Sequence, residues 1–283
     1  MKDSWSTFYR DHVALLQSLY PGLNLDIFLR DITDIVQFRT QNPIIHLDHA
    51  EHSLSQIDQQ KLEEQFLKGT PLSTLMGFSE FYHHKFYVDQ HVLIPRPETE
   101  HMVDMLVNEF KGKVQRVLDV GTGSGVIVLS LLDGGVGKNG VGVDISPEAL
   151  RVAEINCHRL RLKQKTTLIK SDRLTKVEGV FDLIVSNPPY IKASSHKNLV
   201  HVSVDKHEPH QALYLPDDYY VLWFEDFFQE VRAHLDGTFM MEGHELELDE
   251  QAKMLGRLGF KDVLVLNDLT GIKRYVRARF SLS

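Results

Sequence analysis

The run Asn187-Pro188-Pro189-Tyr190 brings together residue types that can hold a flat, amino-bearing group. The side-chain oxygen of Asn187 and the backbone carbonyl of Pro188 can each accept one N–H from a substrate –NH2. The prolines fix φ so that these acceptors converge, and Tyr190 can cover the plane of the bound group. Such an arrangement suits a nitrogen that must act as a nucleophile. A four-residue match alone is modest evidence. This one follows the apolar run Phe181–Ser186 and lies downstream of a glycine-rich loop, which strengthens it.

That loop is Asp119-Val-Gly121-Thr122-Gly123-Ser124-Gly125. Its glycines allow a tight turn and close approach of backbone to a ligand, although a plain strand-to-helix turn has the same composition. Val126 stands where a dinucleotide loop needs its third glycine, and the Gly-Lys-Ser/Thr ending of a P-loop is missing. Nothing basic lies within it, which suits a cationic, phosphate-free ligand such as S-adenosylmethionine. Asp119, Asp144, Asp172 and Asn187 fall at four successive predicted strand ends, the edge where open α/β sheets bind ligands. Asp144 is placed to take both ribose hydroxyls, Ile145 to lie against the base and Asp172 to hold the adenine amino group. Asp172 as a solvated loop carboxylate is the bland alternative. Asp119 is read as attracting the sulfonium, against a purely loop-stabilising role.

At 283 residues the chain has room for one large domain and a smaller one. The net charge of −8 argues against a protein that coats nucleic acid. Cys157 is the sole cysteine, which rules out an internal disulfide, fits a reducing compartment, and reads as inert packing inside a helix. No signal core or membrane-length apolar run is present, so the cytoplasm is the expected location, without membrane attachment. His201, His207 and His210 match no metal spacing, and no metal is expected.

The elements that must position these residues follow from periodicity. Trp5, Phe8, His12, Leu15 and Leu19 form one helical stripe, and Leu25, Phe28, Leu29 and Ile32 a second. A third helix is predicted over 55–68, then a short one with Thr70-Pro71 as cap and first turn, closed by Gly77. Aromatic and β-branched residues from 81 to 94 predict a strand pair broken at Asp89-Gln90. A helix carrying Met102, Val103, Leu106, Val107 and Phe110 comes next. Strands are predicted at 114–120, 141–144, 166–172, 181–187, 238–242, 262–266 and 272–280, with helices between most of them; Ser146-Pro147-Glu148 starts one. The fold class is therefore α/β, a mostly parallel seven-stranded sheet ending in an antiparallel hairpin, because the gap at 267–271 is too short for a crossover. Residues 1–77 are expected to form a small helical domain, 78–98 a β-hairpin linker and 99–283 the catalytic domain.

Taken together, these motifs resemble the bacterial-type protein-glutamine methyltransferases that modify peptide chain release factors. Gly77 with Glu80-Phe81, and Leu93-Ile-Pro-Arg-Pro-Glu-Thr-Glu100, resemble the inter-domain signature. The segments 117–125 and 184–191 resemble the cofactor and substrate motifs, and Glu208-Pro209, Ala212-Leu213 and 268–274 the C-terminal landmarks. The resemblance implies a Rossmann-like class I methyltransferase, S-adenosylmethionine as cofactor, and a release-factor glutamine amide as acceptor. It also implies an N-terminal domain that helps recognise the protein substrate. Three departures stand out: Arg173 near the adenine position, Asp217-Asp-Tyr-Tyr220, and Glu242-Gly243-His244 leading to Glu247.

Asn-Pro-Pro-Tyr alone is shared with adenine and cytosine amino-methyltransferases, whereas Pro-Arg-Pro-Glu-Thr-Glu is more selective. Ribosomal-protein glutamine methyltransferases differ after the proline-arginine pair. A nucleic-acid amino-methyltransferase and a catalytically silent cofactor-binding module are the rival readings. Arg96 and Thr99 are read as shaping the cleft, Arg96 on the substrate side, with a surface pair to Glu98 or Glu100 as the alternative. A monomer with no stable nucleic-acid partner is expected.

Overall fold

A computed structural model describes residues 2–41 and 59–282. Among the described residues the chain opens with the helices α1 (Lys2–Leu19), α2 (Leu25–Gln41), α3 (Gln59–Leu67) and α4 (Leu72–Met76). Their shared core holds Trp5, Phe8, Tyr9, Leu16, Phe28 and Phe66. The buried face of α1 thus differs from the expected stripe. Leu15 is 45% exposed and Leu19 lies at the surface, while Tyr9 and Leu16 are buried. A repeat of 3.5 residues drifts around a straight helix of 3.6, so the predicted stripe left the core after two turns. The expected start of the third helix, near Ser55, lies outside the described residues. Pro71, at φ −52° and ψ 138°, stands at the N-cap of α4 where Thr70 was expected, and Gly77 closes it at φ 74°.

A hairpin follows, β1 (Phe78–Phe81) with β2 (His84–Tyr87). Its turn is Tyr82-His83, not Asp89-Gln90, and both turn residues have positive φ. A two-residue turn of this hand matches strand twist and favours Asn-Gly or Asp-Gly. Tyr-His carries no such signal. Asp89 instead accepts from its own neighbour, the His91 N–H at 2.9 Å, and pairs with Arg151 at 3.0 Å.

Next come α5 (Pro97–Phe110), β3 (Arg116–Val120), α6 (Val126–Asp133), β4 (Asn139–Asp144), α7 (Pro147–Arg159), β5 (Thr166–Lys170) and β6 (Phe181–Ser186). Shorter pieces follow, β7 (Ile191–Lys192), α8 (Val202–His207), α9 (His210–Leu213) and β8 (Tyr214–Leu215). The chain closes with α10 (Tyr220–His234), β9 (Leu235–Glu242), α11 (Leu248–Arg257), β10 (Lys261–Asn267) and β11 (Lys273–Phe280). Seven strands form one sheet in the order β10-β11-β9-β6-β3-β4-β5. The five from β9 to β5 run parallel, and β11 is antiparallel to both its neighbours.

Successive strand residues face opposite sides. Leu118 and Ile184 pack with Phe224, Phe227 and Phe228 of α10. Val117, Leu183 and Val185 pack with Met102 and Leu106 of α5 and with the apolar face of α6. Both faces are covered, which is why these strands read as continuous apolar runs. From β3 the connections run one way to β4 and β5; from β6 they run the other way to β9. The crevice between the ends of β3 and β6 is therefore the sheet's switch point.

Asn156 of α7 ties the hairpin to this sheet. Its Oδ1 accepts the Tyr87 N–H at 2.6 Å, and its Nδ2 donates to Tyr87 O and Ser124 O, each at 2.9 Å. Asn156→Ala strands buried polar groups on both partners and is expected to cost about 2–4 kcal/mol in chemical denaturation. Asn156→Asp should not restore it, because a carboxylate cannot donate to two carbonyls. A loss below about 0.5 kcal/mol would contradict this role.

Candidate active site at the switch point

The loop after β3 is built from left-handed backbone, with Gly121 at φ 73°, Gly123 at 55° and Gly125 at 82°. A side chain at Gly125 would stand 3.0 Å from Leu129 and 3.3 Å from Ala153, so the third glycine serves packing of α6 against α7. The N–H groups of Gly121 and Thr122 both donate to Val143 O at 2.9 Å, which seats the loop on β4. At the end of β4, Asp144 accepts the Gly123 N–H through Oδ2 and the Ser146 N–H through Oδ1, each at 2.9 Å. Burial raises its pKa, and these donors oppose the rise. Ser146 also caps α7, accepting the Ala149 N–H at 3.1 Å.

Asp119 lies under the loop and is fully enclosed. Its Oδ2 accepts the Thr122 hydroxyl at 2.7 Å and the Val128 N–H at 3.3 Å, while Oδ1 has no partner among the described residues. Burial pushes its carboxyl up to about 7. Asp119 does not line the cavity above the loop, so in this geometry it braces the loop and reaches a ligand only through its field.

That cavity has a volume of roughly 310 Å³, within the range of small-molecule sites. Gly121, Thr122, Gly123 and Ser124 form its floor, and Asp144, Ile145, Asp172 and Arg173 line it at the ends of β4 and β5. Ile145 is 42% exposed, an apolar surface left open for a ligand. Arg173, at φ 46°, turns its guanidinium to Glu230 at 3.0 Å and over the Trp223 ring at 5.6 Å. Its charge is thus already matched. Trp223 itself lines the cavity and supplies the aromatic wall that the sequence position of Arg173 lacks. Sequence reasoning missed it because α10 reads as a core helix, with Tyr220, Phe224, Phe227 and Phe228 around it.

Asn187, Pro188 and Pro189, beyond the end of β6, and Arg96 line the same cavity. Asn187 Nδ2 donates to Thr99 Oγ1 at 3.0 Å, and the Thr99 hydroxyl donates to Glu242 Oε2 at 2.7 Å. The Tyr190 hydroxyl donates to Glu242 Oε1 at 3.0 Å. Tyr190 thus turns its hydroxyl toward Glu242 and is not among the residues that line the cavity. Its phenol is held protonated, its pKa raised well above the usual value by burial and by Glu242. Glu242 is 1% exposed and its own pKa is raised by burial, with the two hydroxyls and Arg274 opposing. Thr99 occupies the first turn of α5 and Glu242 the end of β9; the partnership spans 143 residues and had no local signal.

Arg96 pairs with neither Glu98 nor Glu100. It donates to the buried Glu208 at 2.5 Å, whose other oxygen accepts the Ile94 N–H at 3.1 Å. Among the described residues no group of His, Cys, Asp and Glu is arranged to hold a metal. His201 caps α8 by accepting the Ser203 N–H, and His210 contacts Asp205 O at 2.7 Å. Cys157 is buried. No described helix is long and apolar enough to cross a membrane.

Three comparisons bear on this geometry. The family profile of the methyltransferase small domain matches residues 98–210. A release factor glutamine methyltransferase of Rhodopirellula baltica is 34% identical over 221 residues, covering 73% of each chain. One of Leptospira interrogans is 33% identical over 269 residues, covering 90% of this chain and 89% of its own. Among solved structures, a ribosomal protein L11 methylase from Lactobacillus delbrueckii subsp. bulgaricus superposes with a TM-score of 0.50 at 22% identity. The match covers 68% of this chain and 82% of that one, and indicates a shared methyltransferase fold.

Proposed function

This chain belongs to the release factor glutamine methyltransferase family, and we propose that it methylates a glutamine side-chain amide in a peptide chain release factor, using S-adenosylmethionine. One observation carries the assignment to this site. Asn187, with its NH2 end engaged by Thr99, shares a cavity with Pro188, the glycine loop and Asp144. Relatives named for protein-glutamine transfer favour this reading over a nucleic-acid acceptor.

The cavity suits the cofactor chemically. The loop has no basic residue to meet a phosphate, Gly121 and Gly123 leave the floor open, and an exposed isoleucine and Trp223 both line the cavity. Asp144 would take the ribose hydroxyls, Ile145 and Trp223 the faces of the base, and Asp172 its amino group. When bound, the cofactor supplies an electrophilic methyl carbon. The chain's own residues bind and orient the acceptor. An amide nitrogen is a poor nucleophile because its lone pair is delocalised into the carbonyl. Asn187 Oδ1 and Pro188 O accept the two amide hydrogens and fix where that nitrogen points, and alignment of this kind lowers a barrier by up to about 7–11 kcal/mol. Arg96, held by Glu208, shapes the mouth through which the protein segment enters.

The test is to incubate the chain with methyl-labelled cofactor and purified release factors and map the labelled residue. A single methyl on one glutamine side-chain nitrogen is expected. Label confined to RNA, DNA or another residue type would overturn the proposal.

Asp119 adds a pH dependence. A cationic ligand favours its ionised form, which becomes populated as pH rises through about 7. S-adenosylmethionine affinity should therefore strengthen about three- to tenfold between roughly pH 6 and 8, while uncharged-sulfur S-adenosylhomocysteine changes less. Calorimetry checks this, and Asp119→Asn should remove the difference. Parallel profiles for the two ligands would contradict it.

A further inference from the structure

We infer that Glu242, acting through Thr99, decides which end of the Asn187 side-chain amide faces the cavity, and so makes the site an acceptor of N–H groups. An asparagine amide is nearly symmetric in shape and opposite in hydrogen-bonding sense at its two ends. Packing alone does not choose between them. A proton count does.

The count starts at the buried carboxylate. Glu242 accepts at both oxygens, from the Tyr190 hydroxyl at 3.0 Å and the Thr99 hydroxyl at 2.7 Å. Tyr190 has one proton and gives it to Glu242. Thr99 also has one, spent on the other oxygen. Its Oγ1 can then only accept from its other neighbour, and Asn187 Nδ2 stands there at 3.0 Å. The amide's NH2 end is consumed, and Oδ1 is left for the ligand. Burial raises the pKa of Glu242, and the two hydroxyl donors together with Arg274, held by Asp268 at 3.3 Å, oppose that rise and favour the carboxylate.

The consequence is selection by hydrogen-bond sense. With Oδ1 presented beside Pro188 O, the site offers two acceptors, matched by a primary amide nitrogen. With the amide reversed, it would offer an NH2 to that nitrogen's hydrogens and repel them. Thr99, which lines the cavity beside Asn187, and Glu242 behind it are thus positioning residues that act through the Asn187 amide.

The test uses the full chain with Thr99→Val, Thr99→Ser and Glu242→Gln. Valine keeps the shape of threonine and removes the hydroxyl; serine keeps the hydroxyl. The first readout needs neither cofactor nor substrate. The Asn187 side-chain NH2 signal in nitrogen–proton spectra, identified by its loss in Asn187→Asp, should exchange slowly with solvent in the natural chain. Exchange should quicken about tenfold or more in Thr99→Val and Glu242→Gln, and much less in Thr99→Ser. The second readout rests on the proposed glutamine transfer. Here kcat should fall about 30-fold or more in Thr99→Val and Glu242→Gln, with cofactor Kd within about threefold of the natural chain, and Thr99→Ser should recover most of the loss.

Slow exchange that persists in Thr99→Val, or serine no better than valine, would overturn the inference. A protected signal that needs the Thr99 hydroxyl, in a chain that labels no release factor, would uphold the inference and remove the proposed function instead. The two failures are distinct.

Discussion

Asn187→Ala should leave a folded protein that binds cofactor nearly as well as the natural chain and turns over about 10²–10³-fold more slowly. Removing one directed polar group from a preorganised site raises a barrier by about 3–4 kcal/mol, which corresponds to that factor. The loss should fall on kcat rather than on cofactor Kd, because Asn187 follows β6, two strands away from β4, whose end carries Asp144. It should also exceed the loss in Thr99→Val, which disturbs the orientation of the amide without deleting it. Folding is spared for a structural reason. Asn187 follows β6, whose ladder to β3 ends at Ser186, so no sheet bond depends on its side chain. Single-turnover rates alongside thermal unfolding would check the result. Rates near those of the natural chain would refute the assignment of Asn187.

Asp144→Ala should act on the other constant. The carboxylate accepts from Gly123 in the loop and from Ser146 at the start of α7, so it holds two segments in register. It is also the group placed to meet the ribose hydroxyls. Charge-assisted hydrogen bonds contribute about 1.5–3 kcal/mol each, so losing the ligand contact and the loop geometry together should weaken cofactor binding about 100-fold or more. At saturating cofactor, kcat should drop much less than in Asn187→Ala. The quenching of Trp223, which lines the same cavity, provides a direct binding signal. An unchanged Kd would mean the ribose is held elsewhere.

How much of this was legible depends on how local each signal is. The seven strands were legible because β3, β6 and β9 are buried on both faces and read as apolar runs ended by polar residues. The switch point followed from their order. Asn187 and the glycine loop were legible because their chemistry is written in consecutive residues. The hairpin turn at Tyr82-His83 was not, since its positive φ values are imposed by the surrounding fold on residues that do not ask for them. The Thr99–Glu242 contact and the Arg96–Glu208 pair join segments more than a hundred residues apart, and nothing at either end of each pair names the other. Trp223 was hidden for a different reason: among the aromatics of α10, only its place on the helix face separates it from core. The burial of Asp119 falls between these cases. Its strand-end position was evident, but not that the carboxylate is fully enclosed, accepting the Thr122 hydroxyl and the Val128 N–H beneath the loop.

The most direct measurement is a crystal structure of the chain with S-adenosylhomocysteine and a glutamine-bearing release-factor segment. The glutamine nitrogen is expected within hydrogen-bonding distance of both Asn187 Oδ1 and Pro188 O, with Asn187 Nδ2 still on Thr99. A glutamine bound through its carbonyl oxygen to Asn187, or a nitrogen out of reach of both acceptors, would contradict it.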